Sequence, residues 1–520
     1  MINVPSIFHD KAKGQIIEVV AGLYIAYSKT VDSNLNFLVL DQSSLDESLL
    51  APYGGEGIFQ IWDAYEYTNY SDRLVSLDLE RSIEYPYNVQ AAMLDITLDN
   101  YDNYFTPGSG SAIDAYNLPG RPMKSYAGFG GAGMIQQFAG LTRSMPTIDS
   151  NKGLATYHAV DFLSEIAEQN LNTIIDMRNV RTDQVLEAIV QQFGMTQIQY
   201  DFEPGRNIIP FVFFDIGQNA GEAMQKLVQA ENGKLWLDEN GLLRFTRRDS
   251  GVGVITLGVD DYQIIEATPG SYSNIVNHVI ISCDLREVQE FQTVYSKTPK
   301  ADLSSADQNW VISANGSVTR SLSLEDPCYS IVAPTLGRAS NVSWFTAVKD
   351  DGTAVSSGVS ITGQLTNNAY IITATNTNNF AVEIDGLVLW GEPAKVYDHL
   401  DYEAYEDDSV AAYGDHRLTI ADNQFFQSYE QAVAFADSIL NERAFYNSTM
   451  SMSIKGDFSL QLGDILELSG TYSGRYMIDS IKYHIEAGLL ETTVNTHWVP
   501  TREWFILDIS QLDNTLYVLG

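Results

Sequence analysis

The chain has 520 residues, of which 45% are hydrophobic and 19% are charged. This composition excludes a disordered chain and predicts about three or four domains with cores of their own. The formal net charge is −37, from 67 acidic and 30 basic residues. Such a chain repels nucleic-acid phosphates, which excludes charge-driven DNA binding. The charge is compatible with a channel past which DNA slides, or with an ordinary soluble surface.

The start of the chain and its two cysteines indicate a soluble protein made in a reducing cytoplasm. Residues Met1–Pro5 lack a basic stretch followed by an apolar core, and no apolar run reaches the roughly 18 residues that a membrane span needs. Cys283 and Cys328 occur without a CxxC motif or a Cys/His cluster, so no zinc site or disulfide scaffold is predicted.

Most of the chain is predicted to be short strands, because β-branched and aromatic runs alternate with Gly, Asn, Asp and Pro. Helical periodicity is confined to four stretches, with Thr182 as the expected cap of the second. They are Val160–Asn170, Asp183–Phe193, Ala220–Glu231 and Ser428–Arg443.

These patterns divide the chain into segments. Residues 1–160 are strand-rich, 161–250 alternate helix and strand, and 251–300 return to strands. Residues 301–396 have no helical stretch and are typical of an inserted β-sandwich. Residues 397–415 form an acidic, Tyr-rich connector, 416–500 combine one helix with strands, and 501–520 form an aromatic tail.

Motifs for chemistry are weak. Gly128–Gly133 matches GxGxxG, but Gly140 and Pro146 leave little room for the helix that a nucleotide site requires, so a loop before a strand is favoured. Acidic residues between Asp95 and Asp102 lack the spacing of a calcium loop, although cation binding stays open. The acidic run Asp398–Asp408 is interpreted as a solvated linker.

No catalytic residue, cofactor site or metal site is predicted, and the chain is not expected to be an enzyme. The sequence has no histidine pair at helical metal-site spacing and no GxSxG elbow. A distant carboxylate pair stays possible, but 67 acidic residues make any choice arbitrary. The aromatic residues of 301–396 suit sugar stacking if exposed, but a sandwich core is favoured. They are Trp310, Trp344, Phe345, Phe380 and Trp390.

A ten-residue pattern, L-D-x-S-x-L-D-x-x-L, occurs at residues 40–49 and again at 507–516. Two copies do not make a repeat array. The pattern is either a capped turn used twice or a docking segment for a common partner surface.

The C-terminal region resembles the second tube-like barrel of phage tail hub proteins. A helix at Ser428–Arg443 is followed by a strand at Met450–Ile454 and by Leu462-Gly463-Asp464-Ile465. A further strand at Gly474–Ile478 and a closing T-x-V strand at Glu491–Val494 complete that order.

Upstream passages resemble the same family in the same order along the chain. Val89–Asn100 followed by Phe105-Thr106-Pro107 is similar to the first barrel. Ala220–Glu231 before the Asn240-Gly241 turn is similar to the middle module, and Ser409–Gly414 is similar to the re-entry into the last barrel. The resemblance omits 301–396 and the tail, and no lysozyme-like or peptidase-like segment is appended.

The resemblance implies a mainly β fold with α+β modules: two tail-tube-like barrels, a small α/β middle region and an inserted β-sandwich. The expected domains are 1–160, 161–250, 251–300 with 397–500, 301–396, and a docking tail at 501–520.

The implied function is a structural virion protein, the hub of a tail tip or baseplate. It would form a homotrimer ring that contacts the tail tube or a distal tail protein, the tape-measure protein, and a fibre or spike, with DNA in transit only. The alternatives are a receptor- or glycan-binding tail protein acting through 301–396 and, less favoured, a cell-wall-degrading enzyme. The apolar tail predicts docking residues. They are Trp504, Phe505, Ile506, Leu507, Leu512 and Leu516.

Overall fold

The computed structural model describes residues 11, 19–27, 65–83, 89–248, 250, 253–257, 264–270, 272–297, 310–366, 369–445, 449–468, 473–499, 503–504 and 517–518. The fold is mainly β, as the sequence predicts. The first half of the chain contains these elements: β1 Val19–Ile25, β2 Thr68–Asn69, β3 Leu74–Ser82, β4 Met93–Asp99, β5 Pro122–Phe129, β6 Gly133–Thr142, β7 Thr147–Asp149, β8 Leu154–Val160, α1 Phe162–Ala167, β9 Ile175–Arg181, α2 Thr182–Gln191, β10 Tyr200–Phe202, β11 Ile208–Phe214, α3 Ala220–Glu231, β12 Lys234–Leu237, β13 Leu243–Thr246, β14 Gly253–Leu257 and β15 Ile264–Pro269.

The second half continues with β16 His278–Cys283, β17 Arg286–Val288, β18 Gln292–Lys297, β19 Val311–Ile312, β20 Ser317–Ser323, β21 Cys328–Ile331, β22 Thr335–Leu336, β23 Trp344–Val348, β24 Val359–Leu365, β25 Ala369–Asn376, β26 Val382–Val396, β27 Leu400–Tyr405, α4 Asp407–Tyr413, β28 Arg417–Ile420, α5 Tyr429–Arg443, β29 Thr449–Ile454, β30 Asp464–Leu468, β31 Gly474–Glu486, β32 Leu489–Trp498, β33 Glu503–Trp504 and β34 Tyr517–Val518.

The largest sheet has 14 strands, which come from both the N-terminal and the C-terminal parts of the chain. Its order is β15-β29-β32-β31-β3-β4-β8-β6-β5-β1-β2, with β7 on β8 and with β30 between β14 and β31. Strands from before residue 161 and after residue 252 therefore lie in one sheet. They also share one core, in which Leu79 and Ile96 pack in the same cluster as Tyr483 and Val494. Trp236 of the middle region completes that cluster.

Within this sheet the same four-stranded unit occurs twice. We call β3-β4-β8-β7 the first repeat and β15-β29-β32-β31 the second repeat. When the strands of each repeat are numbered in chain order, the first strand pairs with the second, and the second pairs with the fourth. The third strand pairs with the fourth and lies outermost. Every one of these pairings is antiparallel. The register also skips one residue at the same place, between Leu74 and Ser76 and between Ile264 and Glu266. Because the bulge occurs at the same place in both, the backbones of the two repeats can be matched residue by residue.

The middle region forms a second core under α1, α2 and α3. The helix α3 has the bounds that the sequence predicts, because the Asn219 side chain accepts from Glu222 N and Asn232 ends the helix in a left-handed conformation. The expected cap Thr182 of α2 is instead the first helical residue. Its hydroxyl donates to Glu231 Oε2 at 3.0 Å, while Gln184 accepts from Arg181 N.

Two segments that the sequence places elsewhere pack in this second core. Strand β16 and helix α5 contribute Val279, Ile281, Phe435 and Ile439. Residues 397–415, expected to be a solvated connector, form β27 and α4, and β27 pairs with β16. The linker prediction is wrong because alternate residues of β27, among them Tyr402, turn toward this core while the carboxylates face outward.

Residues 310–396 form two sheets around a core of their own, the arrangement of a sandwich. One sheet is β20-β25-β24, and the other collects its strands around the 15-residue β26. Strands β17 and β18 lie before residue 301, yet both pair with β26. The long strand β26 needs partners along its whole length, and these two strands supply them at its C-terminal part.

Candidate functional site

The two repeats meet where β3 pairs with β31, and we call this pairing the joint. It runs antiparallel from Ser76 opposite Glu486 to Ser82 opposite Ser480. On the buried side, Leu79 lies opposite Tyr483, and both are almost fully buried. The joint is therefore a hydrophobic contact as well as a hydrogen-bonded one, which makes the two repeats one continuous sheet of eight strands.

The other side of the joint is held by charges. His484 Nδ1 lies 2.6 Å from Asp78 Oδ1, and Lys482 Nζ lies 3.5 Å from Glu80 Oε2. Both are pairs of residues directly opposite each other in the register. The hydrogen bond with Asp78 raises the pKa of His484 above its usual value, against the smaller opposing effect of burial. The sequence partly predicts this arrangement, because Leu77–Glu80 and Tyr483–Glu486 alternate apolar and polar residues and are therefore typical of strands with one buried face. No sequence pattern predicts that these two strands pair with each other.

The exposed face of the eight-stranded sheet, which we call the polar face, is acidic and rich in hydroxyl groups. It consists of the alternate residues that turn away from the first core. Its lysine is Lys482. Its carboxylates are Asp78, Glu80, Asp95, Asp99, Asp149, Glu266, Glu486 and Glu491. Three large apolar side chains of these strands are also exposed, Val75, Met93 and Leu489. This face is electrostatically repellent to phosphates and offers little to apolar partners.

A second bulge turns Asp479 of β31 inward. The register between β31 and β32 skips this residue, and its carboxylate lies 2.7 Å from Lys234 Nζ and 2.6 Å from His497 Nδ1. Burial acts to raise the pKa of Asp479, but His497 and Lys234 outweigh it and hold that pKa below its usual value. Two buried side chains and the partly buried Lys234 therefore fix the second repeat to the middle region.

The β12–β13 hairpin reaches the first repeat and the turn before β30 through Glu239, which is 4% exposed. Gln461 Nε2 donates to Glu239 Oε1 at 2.8 Å, and Gln136 Nε2 donates to the Glu239 carbonyl at 2.9 Å. Arg81 of β3 lies 3.6 Å from the other carboxylate oxygen. One buried residue of the middle region thus contacts β3, β6 and the turn before β30.

That turn is the Leu462-Gly463-Asp464-Ile465 passage of the sequence. Gly463 has φ of +79°, a conformation that residues with a Cβ atom rarely adopt. The Asp464 carboxylate accepts from Gln461 N at 2.9 Å and closes the turn, and burial raises the pKa of Asp464. The glycine and the aspartate are therefore required by the turn that starts β30.

Each repeat has one outer strand that forms no pair on its outer side among the described residues. In the first repeat this strand is β7, and in the second repeat it is β15.

The expected docking residues fall on the part of the chain that is mostly not described. Phe505, Ile506, Leu507, Leu512 and Leu516 lie outside the described residues. Trp504 belongs to β33, which pairs with β34 in parallel. Both copies of the L-D-x-S-x-L-D-x-x-L pattern also lie outside the described residues.

Other predicted motifs have structural places. Gly133 begins β6 directly opposite Phe129 of β5, so the GxGxxG motif is the turn of a hairpin. Burial raises the pKa of the Cys283 thiol to about 11 and that of Cys328 to about 12. In the described ranges, no group of three or more His, Cys, Asp or Glu residues is arranged to hold a metal ion. None of the described helices has the length and apolar character to cross a membrane.

The aromatic residues of the insertion are core or partly buried side chains. Trp310 and Phe345 are buried in the sandwich core, and Phe380 packs against it. Trp344 and Trp390 are half-buried. None of the five is among the exposed large apolar side chains of the described residues.

No protein-family model matches the sequence, and no curated protein matches it. Several solved structures are similar to this chain. The 43 kDa tail protein of prophage MuSo2 from Shewanella oneidensis is 11% identical, with a TM-score of 0.45 over 83% of this chain and 95% of that one. A tail protein from Neisseria meningitidis MC58 is 7% identical, with a TM-score of 0.45 over 84% and 95%. The prophage tail protein gp18 from Listeria monocytogenes EGD-e is 10% identical, with a TM-score of 0.39 over 84% and 92%. All three similar structures are tail proteins, the class that the resemblance of the sequence indicates.

Proposed function

We propose that the chain is a structural protein of a phage tail, the hub of the tail tip or baseplate, and that it resides in the virion. The observation that carries this proposal is the joint. One chain contains the same four-stranded unit twice and connects the two units edge to edge.

An interface that connects two different edges can occur again between one chain and the next. Such an interface generates either a closed ring or an open filament. The resemblance to tail hub proteins selects the ring and selects three chains. Each chain would supply eight strands of one continuous sheet around a central channel.

The polar face would line that channel. Its carboxylates repel the phosphates of passing DNA, and its hydroxyl groups stay hydrated, so the surface resists adhesion of the tape-measure protein and of DNA. The role assigned to the chain is mechanical and needs no catalytic group.

The remaining partners follow from the resemblance. The ring would contact the tail tube or a distal tail protein on one side and a fibre or spike on the other, with the insertion directed outward. We also propose, from the sequence alone, that the tail 501–520 docks a neighbouring tail component through Trp504, Phe505, Ile506, Leu507, Leu512 and Leu516. Particles assembled with a chain truncated after residue 500 should lack that component; normal assembly and infection would contradict the docking role.

The ring is tested on the purified full chain by native mass spectrometry over a concentration series and by negative-stain electron microscopy. The expected result is a trimer with a central hole. A monomer without a hole at every concentration would overturn the proposed function. Binding of the monomer to host cells would then favour the receptor-binding alternative.

A further inference from the structure

Arg121, directly before β5, is a buried cation on a fixed main chain. The residue is 7% exposed. Thr142 N of β6 donates to the Arg121 carbonyl at 2.9 Å, and Arg121 N donates to the Thr142 hydroxyl at 2.9 Å. On the other side, Ala26 N, directly after β1, donates to the Pro122 carbonyl at 2.9 Å. The main chain from which the guanidinium extends is therefore held by hydrogen bonds on both sides.

No described residue supplies a counter-charge for this guanidinium. Its Nε atom is buried without a hydrogen-bond partner. Burial lowers the pKa of Arg121, and the Tyr27 phenol, which acts in the opposite direction, offsets this only in part. Arginine keeps its proton in proteins, so it does not escape the cost of burial by becoming neutral, as a lysine does. A buried charge without a partner is strongly unfavourable, and the described part of the chain leaves that cost in place.

Arg81 shows how the same fold treats a buried arginine that has a partner. It is 3% exposed, and its Nη1 atom lies 3.6 Å from the Glu239 carboxylate. Its Nη2 atom donates to Gln137 Oε1 at 3.4 Å. The chain has 67 acidic residues, so a shortage of carboxylates does not explain why Arg121 lacks one.

The hydroxyl groups near Arg121 do not replace a carboxylate. Tyr157 donates to Asn117 Oδ1 at 2.9 Å, and the Asn117 amide is oriented by its donation to the Phe105 carbonyl. The Tyr27 hydroxyl lies 2.9 Å from that of Tyr157 and therefore donates to it. Burial raises the pKa of Tyr27, so its phenol stays neutral. Among the described residues, the surroundings of Arg121 thus supply no negative charge.

We infer that Arg121 binds a carboxylate from outside its own chain, on an acidic side chain or a chain terminus of a neighbouring subunit. A carboxylate presents two oxygens to the guanidinium fork, and its single negative charge matches the single positive charge of the site. A phosphate would bring a second negative charge without a counter-charge. Because Arg121 is 7% exposed, the ligand is a single side chain or terminus and not a strand or helix. The neighbouring subunit rests on the proposed hub, whereas the carboxylate site rests on Arg121 itself.

This role reverses the usual effect of removing a buried arginine. In the free chain the unpaired guanidinium opposes folding, so an apolar side chain of similar length should be neutral or stabilising. In the assembled particle, the same substitution removes a charge-assisted hydrogen bond and should weaken attachment. A residue that serves folding is harmful to lose in both states, whereas a residue that serves binding is harmful to lose only in the assembly.

The first test compares Arg121→Met with Arg81→Met in the purified full chain, at a concentration where native mass spectrometry shows the monomer. The urea midpoint of Arg121→Met should equal or exceed that of the wild type. The midpoint of Arg81→Met should fall, because this substitution leaves Glu239 buried without its counter-charge. An equal fall in Arg121→Met would show that the chain itself supplies a counter-charge, and it would overturn the site.

The second test uses acetate as the probe of the ligand class. Replacing chloride by acetate at constant ionic strength should raise the melting temperature of the wild-type chain, because a ligand that binds only the folded state stabilises it. Arg121→Met should lack this increment, and Arg121→Lys, which keeps the charge, should retain part of it. An equal increment in wild type and Arg121→Met would overturn the site. A larger increment with phosphate than with acetate would overturn the carboxylate as its ligand.

The third test identifies the subunit that supplies the carboxylate. If Arg121→Met weakens trimer formation by the purified chain, the carboxylate belongs to a second copy. If the trimer persists but particles made with the variant lose a neighbouring component, the carboxylate belongs to that component. Unchanged trimers and particles would overturn the assignment to a subunit. A wild-type chain that stays monomeric would overturn the hub and leave the acetate result standing, so the two failures are distinguishable.

Discussion

The two repeats have the same backbone arrangement, but their side chains differ. Both have the same strand order and the same bulge, yet the positions that match are occupied by Asp78 in one and Thr268 in the other, and by Leu79 in one and Pro269 in the other. Main-chain hydrogen bonds and the alternation of buried and exposed residues are sufficient to specify a sheet, so the side chains are free to diverge.

The connections within the repeats differ even more. In the first repeat, β5 and β6 lie between the second and third strands. In the second repeat, the sandwich, β16, β27, β28, α4 and α5 lie between the first and second strands. Insertions at strand ends cost little free energy, because loop-closure entropy rises slowly with length. The second repeat therefore carries the inserted sandwich, and the first repeat does not.

The largest effect should come from Asp479→Asn, which acts on the second repeat because Asp479 lies at the bulge of β31. The variant leaves the partly buried Lys234 without its counter-charge and His497 without its carboxylate partner, and it should lower the free energy of unfolding by about 3–5 kcal/mol. Urea unfolding measures the loss, and hydrogen exchange should show β31 and β32 opening before β4 and β8.

Glu491→Gln, on the exposed face of β32, is the matched control and should stay within about 0.5 kcal/mol of the wild type. Because the pKa of Asp479 is held low, its contribution is present above the ordinary carboxyl pKa and is lost as the pH falls below it. Equal stability of Asp479→Asn and wild type at neutral pH would contradict this account.

Leu79→Ala should weaken the joint by about 2–5 kcal/mol, since it opens a cavity against Tyr483. The exposed Val75→Ala in the same strand should change stability by less than about 0.5 kcal/mol. Urea midpoints compare the two, and a loss no greater than that of Val75→Ala would show that the buried side of the joint is not what holds the repeats together.

The sequence predicts local structure in this protein better than it predicts the joint. The bounds of α3 follow from periodicity and caps, and the Leu462–Ile465 turn follows from a glycine and an aspartate that act on their own neighbours. The pairing of β3 with β31 joins residues about 400 positions apart, such as Asp78 and His484, and no local pattern encodes it. The repeat is also hidden, because equivalent residues share burial and not identity.

Gly463→Ala should destabilise the second repeat by about 1–2 kcal/mol, because the turn holds this residue at φ of +79°. The control is Gly22→Ala in β1, where φ is not positive and an added Cβ atom would meet Met134 and Ser71 at ordinary contact distances of 3.4 Å. That variant should be neutral or slightly stabilising. Thermal unfolding of the pair measures the cost of the turn, and equal melting temperatures would remove the conformational explanation of the glycine.

The smallest effect should be a pH dependence of the joint. The hydrogen bond with Asp78 raises the pKa of His484, so their attraction is complete below the ordinary histidine pKa and is lost as the pH rises through the raised one. Both side chains are more than a third exposed, which limits the effect to less than about 1 kcal/mol. Asp78→Asn should lower the His484 pKa measured by NMR titration and reduce the decline in stability between pH 6 and 9.

Asp95→Asn is the control within the first repeat, because Asp95 contacts His158 at the same 2.6 Å but lies on β4, one strand away from the pairing of β3 with β31. It should leave the His484 titration unchanged. If Asp78→Asn also left that titration unchanged, the charges on the polar face would not contribute to the joint. The apolar side, where Leu79 lies opposite Tyr483, would then account for the whole attraction between the two repeats.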